Sequence, residues 1–430
     1  MMKRRNRKKK TKININYQYS NKESKKKRKK GYSRKIQIIS KLIILMILLF
    51  FIFILQKYRN KISIDDIPNI SKKIIESKYY ESFENIKLRY INNTVFNPYL
   101  EKITIISHIY NENYKILKRH KTSIDICVSL DNKYIYIQLV SIESVLVNCN
   151  KNKTYLIYHI LCSPDVTENS IFLLKSLVNK YPFNLEMIFY NMSNSFMSLY
   201  VPTIPEPKFY RVSAPIIIDV DRIIHLDGDT LTLKDLTKMY NLDFNDNYIL
   251  GFLDYLSDDI DYLGINSTKY INTGVILINL EKMRNDNKIV DLFNFINKKV
   301  KLKRWDQTIL NYVLYPNIGS LSSEFVIFNF YDELDIRKYS SFLRTKVNTS
   351  EIIESLKSPT VIHSILCWPK IWDVKTIYQP SFSACDQRGN CSCEKYQNLW
   401  YFYANKTDYY EEILHYTHYT GKNRLILTSN

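Results

Sequence analysis

The sequence predicts an α/β fold, a parallel, doubly wound sheet set behind an N-terminal membrane anchor. Three observations carry this. From Ile124 onward, short apolar runs alternate with stretches of helical spacing, the pattern of the strand–helix units that build parallel sheets. One such run, Ile223 to Leu226, stops abruptly at two carboxylates, Asp227 and Asp229, with one glycine between them. Ahead of both, a basic tail leads into an unbroken apolar stretch, Leu42–Leu55.

The tail, residues 1–35, holds 17 Lys or Arg and one acid, Glu23, and so carries +16 of the net +20 of the 430 residues. A strongly basic chain suggests nucleic acid, and a nuclear-localisation reading of the tail stays open. A basic tail on a nearly balanced body argues against nucleic acid as the partner of that body. The stretch 36–55 is interrupted only by Gln37, Ser40 and Lys41. A bilayer span needs roughly 20 residues, and Lys41 lies near one end, where its amine can reach the interface. A buried core helix and a signal peptide are the competing readings. No Ala-x-Ala cleavage site follows, which favours an uncleaved anchor. The basic flank is then cytoplasmic, giving a single-pass type II membrane protein whose body lies in the lumen of the ER or Golgi. Eight Asn-x-Ser/Thr sequons, from Asn69 to Asn405, all lie beyond the anchor and agree with that side.

Residues 56–120 are polar with scattered aromatics and read as a stem, partly helical. The domain then runs over 121–375. Ile124–Leu130 is a strand, and Tyr134–Val147 a helix by its apolar positions Ile135, Leu139, Ile142 and Leu146. Tyr155–Leu161, Glu168–Val178 and Leu185–Tyr190 continue as strand, helix and strand. Pro202–Pro207 is a loop, and Ile216–Ile218 and Arg222–Leu226 lead to the two acids. Leu233–Tyr240 reads as a short helix and Ile249–Leu253 as a strand ending in Asp254. Asn272-Thr273-Gly274 reads as a tight turn feeding the strand Val275–Ile278. Asp286–Val300 is an amphipathic helix, Trp305 opens another that runs to Leu314, and Val361–His363 ends a further apolar segment. The extension 376–430 carries Cys385, Cys391 and Cys393 and two aromatic-rich helices. In an oxidising compartment two of these cysteines can pair, and a three-cysteine metal site is the alternative.

Acids at a strand's C-terminal end face the crevice where open α/β sheets bind ligands. Gly228 permits a sharp bend, so both carboxylates can converge on one point. Two converging carboxylates make a hard oxygen site for Mn²⁺ or Mg²⁺, whose shell phosphate oxygens would complete. Read alone, Asp-Gly-Asp is equally a simple turn.

Five motifs, in this order, resemble the retaining glycosyltransferases of family 8, the lipopolysaccharide galactosyltransferases, glycogenins and their relatives. The resemblance covers about Ile124–Trp372. It implies a GT-A fold, a single Rossmann-like nucleotide-sugar domain, with a UDP-sugar as donor and a glycan, lipid or protein as acceptor. The first motif, Ser129 to Tyr134, implies that Asp131 touches the nucleoside and Tyr134 stacks on uracil, while Lys133 stands where an Asn is common. The second, Phe209-Tyr210-Arg211, implies that Arg211 faces the donor site, beside the pyrophosphate; a surface ion pair is its alternative. The third, Asp227-Gly228-Asp229, implies metal ligation by Asp227 and Asp229. The fourth, Asp254, Asn272-Thr273-Gly274 and Asp306-Gln307, is placed by the resemblance around the donor sugar, with Asp254, Asn272, Asp306 and Gln307 as its site residues. An amide is a poor nucleophile, so we read Gln307 and Asp306 as stabilising positive charge during front-face attack. The fifth, His363 to Trp372, implies that His363 completes the metal shell and Lys370 grips the phosphate. Here the family pattern is altered: Lys370 follows His363 by seven residues rather than six, no Gly lies between them, and Ile371 replaces Pro. That alteration keeps open a membrane-anchored binding or scaffold protein that has lost catalysis. An inverting metal-dependent transferase, with a carboxylate general base, is the rival among enzymes.

Overall fold

A computed structural model of the chain describes residues 78–90, 100–111, 121–182, 184–192, 206–254, 264–298, 305–329, 349–365, 370–372 and 392–417. The tail, the expected anchor 36–55, and Cys385 and Cys391 lie outside the described residues. Among the described residues no helix is long and apolar enough to cross a membrane.

The chain in order gives α1 (Lys78–Tyr90), β1 (Thr104–Ile109), β2 (Thr122–Leu130), α2 (Ile135–Asn148), β3 (Thr154–Cys162), α3 (Glu168–Lys180) and β4 (Leu185–Asn191). A 3-10 stretch, Glu206–Ser213, runs into the one-turn helix α4 (Ala214–Ile217). Then come β5 (Arg222–Leu226), β6 (Thr230–Thr232), α5 (Thr237–Tyr240), β7 (Ile249–Leu253), β8 (Ile271–Asn279), α6 (Leu280–Asn285), α7 (Lys288–Asn297) and α8 (Trp305–Leu314). After these follow β9 (Ile318–Ser320), β10 (Val326–Phe328), α9 (Thr349–Lys357), β11 (Val361–His363), α10 (Ser392–Ala404) and α11, residues 410–417.

Among the described residues, eight strands form one sheet in the order β1-β4-β3-β2-β5-β8-β7-β9. Its centre, β4-β3-β2-β5, is parallel as expected. The sheet as a whole is mixed, which corrects the all-parallel expectation: β8 runs antiparallel to both β5 and β7, and β1 runs antiparallel to β4. Strand direction leaves no trace in hydrophobic spacing, because a strand buried on both faces is apolar throughout in either direction. The edge strand β1 comes from within 56–120, the stretch that reads as stem in the sequence.

Four local expectations also change. Asn272, Thr273 and Gly274 lie inside β8 rather than in a turn. Asp286–Val300 is not one helix: α7 starts at Lys288 after Asn287, which has a positive φ of 52° and separates it from α6. The expected loop ending at Pro207 is already 3-10 from Glu206. Gly228 does not bend through a left-handed φ, which among the described glycines belongs to Gly264. What constrains Gly228 is Gln138 of α2, whose Oε1 would stand 3.1 Å from an added Cβ.

Apolar side chains pack on both faces of the sheet. One face carries α2, α3, the small sheet and the C-terminal helices. The other carries α4 and α6 to α8. Helix α2 is buried along nearly its whole length, which explains its weakly one-sided sequence. The C-terminal segment supplies part of its cover: Asn148 donates to Tyr403 Oη at 2.7 Å, and Trp400 is buried beside it. Truncating a buried tryptophan of this kind costs about 3–5 kcal/mol.

A second, three-stranded sheet, β10-β11-β6, positions the site. The chain leaves the large sheet at the end of β5, passes through Asp227 to Asp229, and enters β6. There Thr230 pairs with His363 at the end of β11. The step from one sheet to the other therefore brings two acids and a histidine, 134 residues apart in sequence, to one place.

Candidate active site

Backbone hydrogen bonds fix the turn between the sheets from both sides. Asp227 N donates to Gly274 O at 2.7 Å, extending the β5–β8 ladder by one rung, and Ser364 N donates to Asp229 O at 2.9 Å. The carboxylates are half-buried and His363 is buried. His363 Nε2 lies 3.1 Å from Asp229 Oδ1 and 3.9 Å from Asp227 Oδ2. One ligand atom from each of Asp227, Asp229 and His363 falls within 4.8 Å of the others.

This donor set fits a divalent cation. Two carboxylates and one imidazole suit Mn²⁺, with Mg²⁺ favouring the oxygens. Gly274 makes the fit possible, since a Cβ there would stand 2.1 Å from His363 Cε1 and 2.8 Å from Asp227 Oδ2. The glycine that composition assigns to a turn is thus required in mid-strand by the imidazole packed on it. Among the described residues, the buried His363 Nδ1 has no hydrogen-bond partner.

The second carboxylate oxygen of Asp227 is held from behind. Arg211 Nη2 donates to Asp227 Oδ1 at 2.6 Å, and His225 Nε2 lies 3.2 Å from the same atom. Burial pushes the His225 imidazole down to about 4, aided by the Arg211 charge. It is therefore neutral near pH 7 and donates through Nε2. Burial alone would raise the Asp227 carboxyl, but Arg211 and His225 outweigh it and hold the group well below the usual carboxylate range. At Asp229, burial likewise raises, and Lys370 and His363 outweigh it. Lys370 Nζ donates to Asp229 Oδ2 at 3.1 Å and to Ser364 O at 3.2 Å.

Arg211 is buried, and its guanidinium points at the protein. Besides Asp227 it donates through Nη1 to Thr273 O, and its Nε lies 3.2 Å from Asp306 Oδ2. Its guanidinium is buried in its ion pairs with Asp227 and Asp306, unlike the surface pair of the alternative sequence reading. Arg211 thereby ties the acid at the end of β5 to the start of α8. Burial still pushes the Asp306 carboxyl up, with Arg211 acting against it.

A second network lies alongside. Gln307 Nε2 donates to Asp254 Oδ2 at 3.0 Å and approaches Tyr270 Oη at 3.4 Å. Gln307 Oε1 accepts from Asn272 Nδ2 at 3.2 Å and from Thr273 N at 3.4 Å. Asn272 Oδ1 accepts from Gly274 N at 2.9 Å, and Thr273 Oγ1 lies 3.4 Å from Asp306 Oδ2. All four expected sugar-site residues, Asp254, Asn272, Asp306 and Gln307, are therefore joined in one buried set.

Asp131 and Tyr134 form a separate part of the site at the end of β2. Asp131 Oδ1 accepts from Tyr134 N at 2.9 Å, closing a single 3-10 turn. Burial raises the Asp131 carboxyl. Tyr134 is 40% exposed, and its ring meets Trp372 edge-on with centroids 6.4 Å apart.

Residue-by-residue reading of the sequence missed His225, Lys208 and Tyr270. His225 could have been found: it is two residues before Asp227 on a strand, so both side chains share a face. Lys208 lies one 3-10 turn before Arg211, and its ammonium feels Asp306, Asp227 and Asp229, although burial pushes its pKa down.

The family model "Glycosyl transferase family 8" matches residues 125–372. General stress protein A of Bacillus subtilis is 27% identical over 168 residues, covering 37% of this chain and 57% of its own. A putative glycosyltransferase of Haemophilus influenzae is 24% identical over 213 residues, covering 47% and 63%. The chain thus spans less than two thirds of the length of these curated relatives. Among solved structures, the apo form of the bifunctional glycosyltransferase WbbM has a TM-score of 0.54 at 19% identity, over 68% of this chain and 51% of that one. This likeness is one of fold, a GT-A-like α/β domain with a mixed sheet.

Proposed function

The chain belongs to glycosyl transferase family 8, and on that premise we propose that it transfers a hexose or pentose from a UDP-sugar to a glycan, lipid or protein acceptor, with retention of configuration. The observation that carries the reading is the convergence of Asp227, Asp229 and His363 on one point, inside the family-matched region.

In this reading the two carboxylates and His363 Nε2 hold Mn²⁺ or Mg²⁺. Bound there, the cation supplies Lewis-acid neutralisation of the charge that develops on departing UDP. Arg211 and His225 keep Asp227 ionised and aimed. Lys370, on a long side chain at the rim, contributes a positive charge to the donor phosphates. Asp131 and Tyr134 receive the nucleoside, the tyrosine offering a flat face to the base.

Gln307 has its amide oriented by four neighbours, which makes it a fixed dipole at the sugar rather than a nucleophile. Asp306 places negative charge nearby, shared with Arg211. Both arrangements stabilise an oxocarbenium-like state electrostatically without reorganising during the reaction. They favour front-face attack by the acceptor hydroxyl over a covalent intermediate. We also propose that 36–55 anchors the chain as a type II membrane protein of the ER or Golgi, with the family domain lumenal.

The product tests this reading. The full chain is incubated with Mn²⁺ and UDP-glucose, UDP-galactose or UDP-xylose, and the released or transferred sugar is followed by proton NMR. Initial formation of the α-anomer supports it. Initial formation of the β-anomer would point to an inverting transferase, and no turnover of any UDP-sugar would favour the scaffold alternative.

A further inference from the structure

Residues 392–417 lie outside the family-matched region, yet they touch both ends of it at the site. On one side, Tyr401 Oη donates to the backbone carbonyl of Trp372 at 2.9 Å, and the Trp400 and Trp372 rings lie 6.4 Å apart. On the other, Tyr416 Oη donates to the backbone carbonyl of Lys133, and its ring packs on Tyr136 at 5.3 Å. Between these contacts the segment is fixed to the domain. Asn148 at the end of α2 donates to Tyr403 Oη, and Lys180 at the end of α3 donates to Lys406 O.

Lys133 and Trp372 both border Tyr134. Lys133 precedes it in the single 3-10 turn that orients its ring, and the Trp372 ring is the one its edge meets. Tyr134 is 40% exposed. The backbone carbonyls of Lys133 and Trp372, on either side of it, are held by hydroxyls from a separate segment.

We infer that the C-terminal segment is part of the nucleotide-base subsite, with Tyr401 and Tyr416 as positioning residues that set the Tyr134 ring for a pyrimidine base. The inference rests on the reading of Tyr134 as the base-stacking residue. Physically, a ring already fixed in its bound direction loses less freedom when the base arrives, and preorganisation of this kind appears as affinity.

The test uses the full chain with Mn²⁺ and two probes, UDP and inorganic pyrophosphate, measured by calorimetry. Tyr401→Phe and Tyr416→Phe each remove one hydroxyl and keep the ring. Each is expected to weaken UDP by about 2- to 10-fold, the range of one hydrogen bond, and to leave pyrophosphate unchanged. The effect should vanish in a Tyr134→Ala background, since there is then no ring to position, which is the non-additivity a double-mutant cycle detects. Equal weakening of UDP and pyrophosphate, or additive losses with Tyr134→Ala, would show a merely structural role and overturn the inference. A wild-type chain that binds pyrophosphate but not UDP would refute the base subsite itself, and the positioning role with it.

Discussion

Gly274 lies against His363 so closely that a Cβ on the glycine would stand 2.1 Å from Cε1 of the imidazole. Gly274→Ala is therefore expected to displace His363 from the two aspartates. Loss of a supporting contact around a metal ligand typically costs about 10- to 100-fold in metal affinity. Mn²⁺ titration of the variant, followed by electron paramagnetic resonance, checks this. Wild-type affinity in the alanine variant would mean that His363 is not a ligand.

Arg211 gives a prediction that separates its two possible roles. It is buried between Asp227 and Asp306, so Arg211→Met leaves two carboxylates without their shared cation. Breaking a buried pair in this way costs about 3–5 kcal/mol. Urea unfolding of the variant should show a midpoint lowered accordingly, with Arg211→Lys intermediate, since a point charge cannot reach three partners. A variant of unchanged stability that lost only donor affinity would assign Arg211 to the pyrophosphate instead.

His225 makes a milder case. Its Nε2 is 3.2 Å from Asp227 Oδ1, and His225→Phe keeps the ring's volume while removing the hydrogen bond. Mn²⁺ affinity should fall by about 10-fold with little change in stability. Equal affinity would assign His225 to packing.

Much of this was legible in the sequence, for identifiable reasons. β5 announces itself because an apolar run ends in charge, and Asp227 and Asp229 follow from that end. Strand direction was not legible: β8 is apolar whether it runs with β5 or against it. Asn272-Thr273-Gly274 has turn composition, but its side chains serve a strand interior, with Asn272 holding Gln307 and Gly274 making room for His363. Arg211 reads as a cation near acids in any arrangement, and only the packed structure reveals that it is buried between Asp227 and Asp306. His363 is recognisable from the family pattern, whereas the strand pairing of Thr230 with His363, which brings it to the acids, belongs to tertiary structure.

Gln307 is expected to act mainly in the transition state. Gln307→Ala should lower kcat by roughly 10²-fold or more, the scale for one preorganised polar group, while donor affinity measured with Mn²⁺ changes little. Gln307→Glu should not rescue turnover, because it sets a carboxylate against Asp254, where Gln307 Nε2 now donates. If Gln307→Ala retains full turnover and loses only donor binding, its role is positioning.

The central claim is that Asp227, Asp229 and His363 hold a cation on which UDP-sugar turnover depends. Its most direct test is UDP release from a UDP-sugar by the full chain in Mn²⁺, in excess EDTA, and by Asp229→Asn in Mn²⁺. The account predicts release in the first condition, loss of at least about 10²-fold in the other two, and recovery of the chelated enzyme when Mn²⁺ is restored. Undiminished release in EDTA, or from Asp229→Asn, would contradict it.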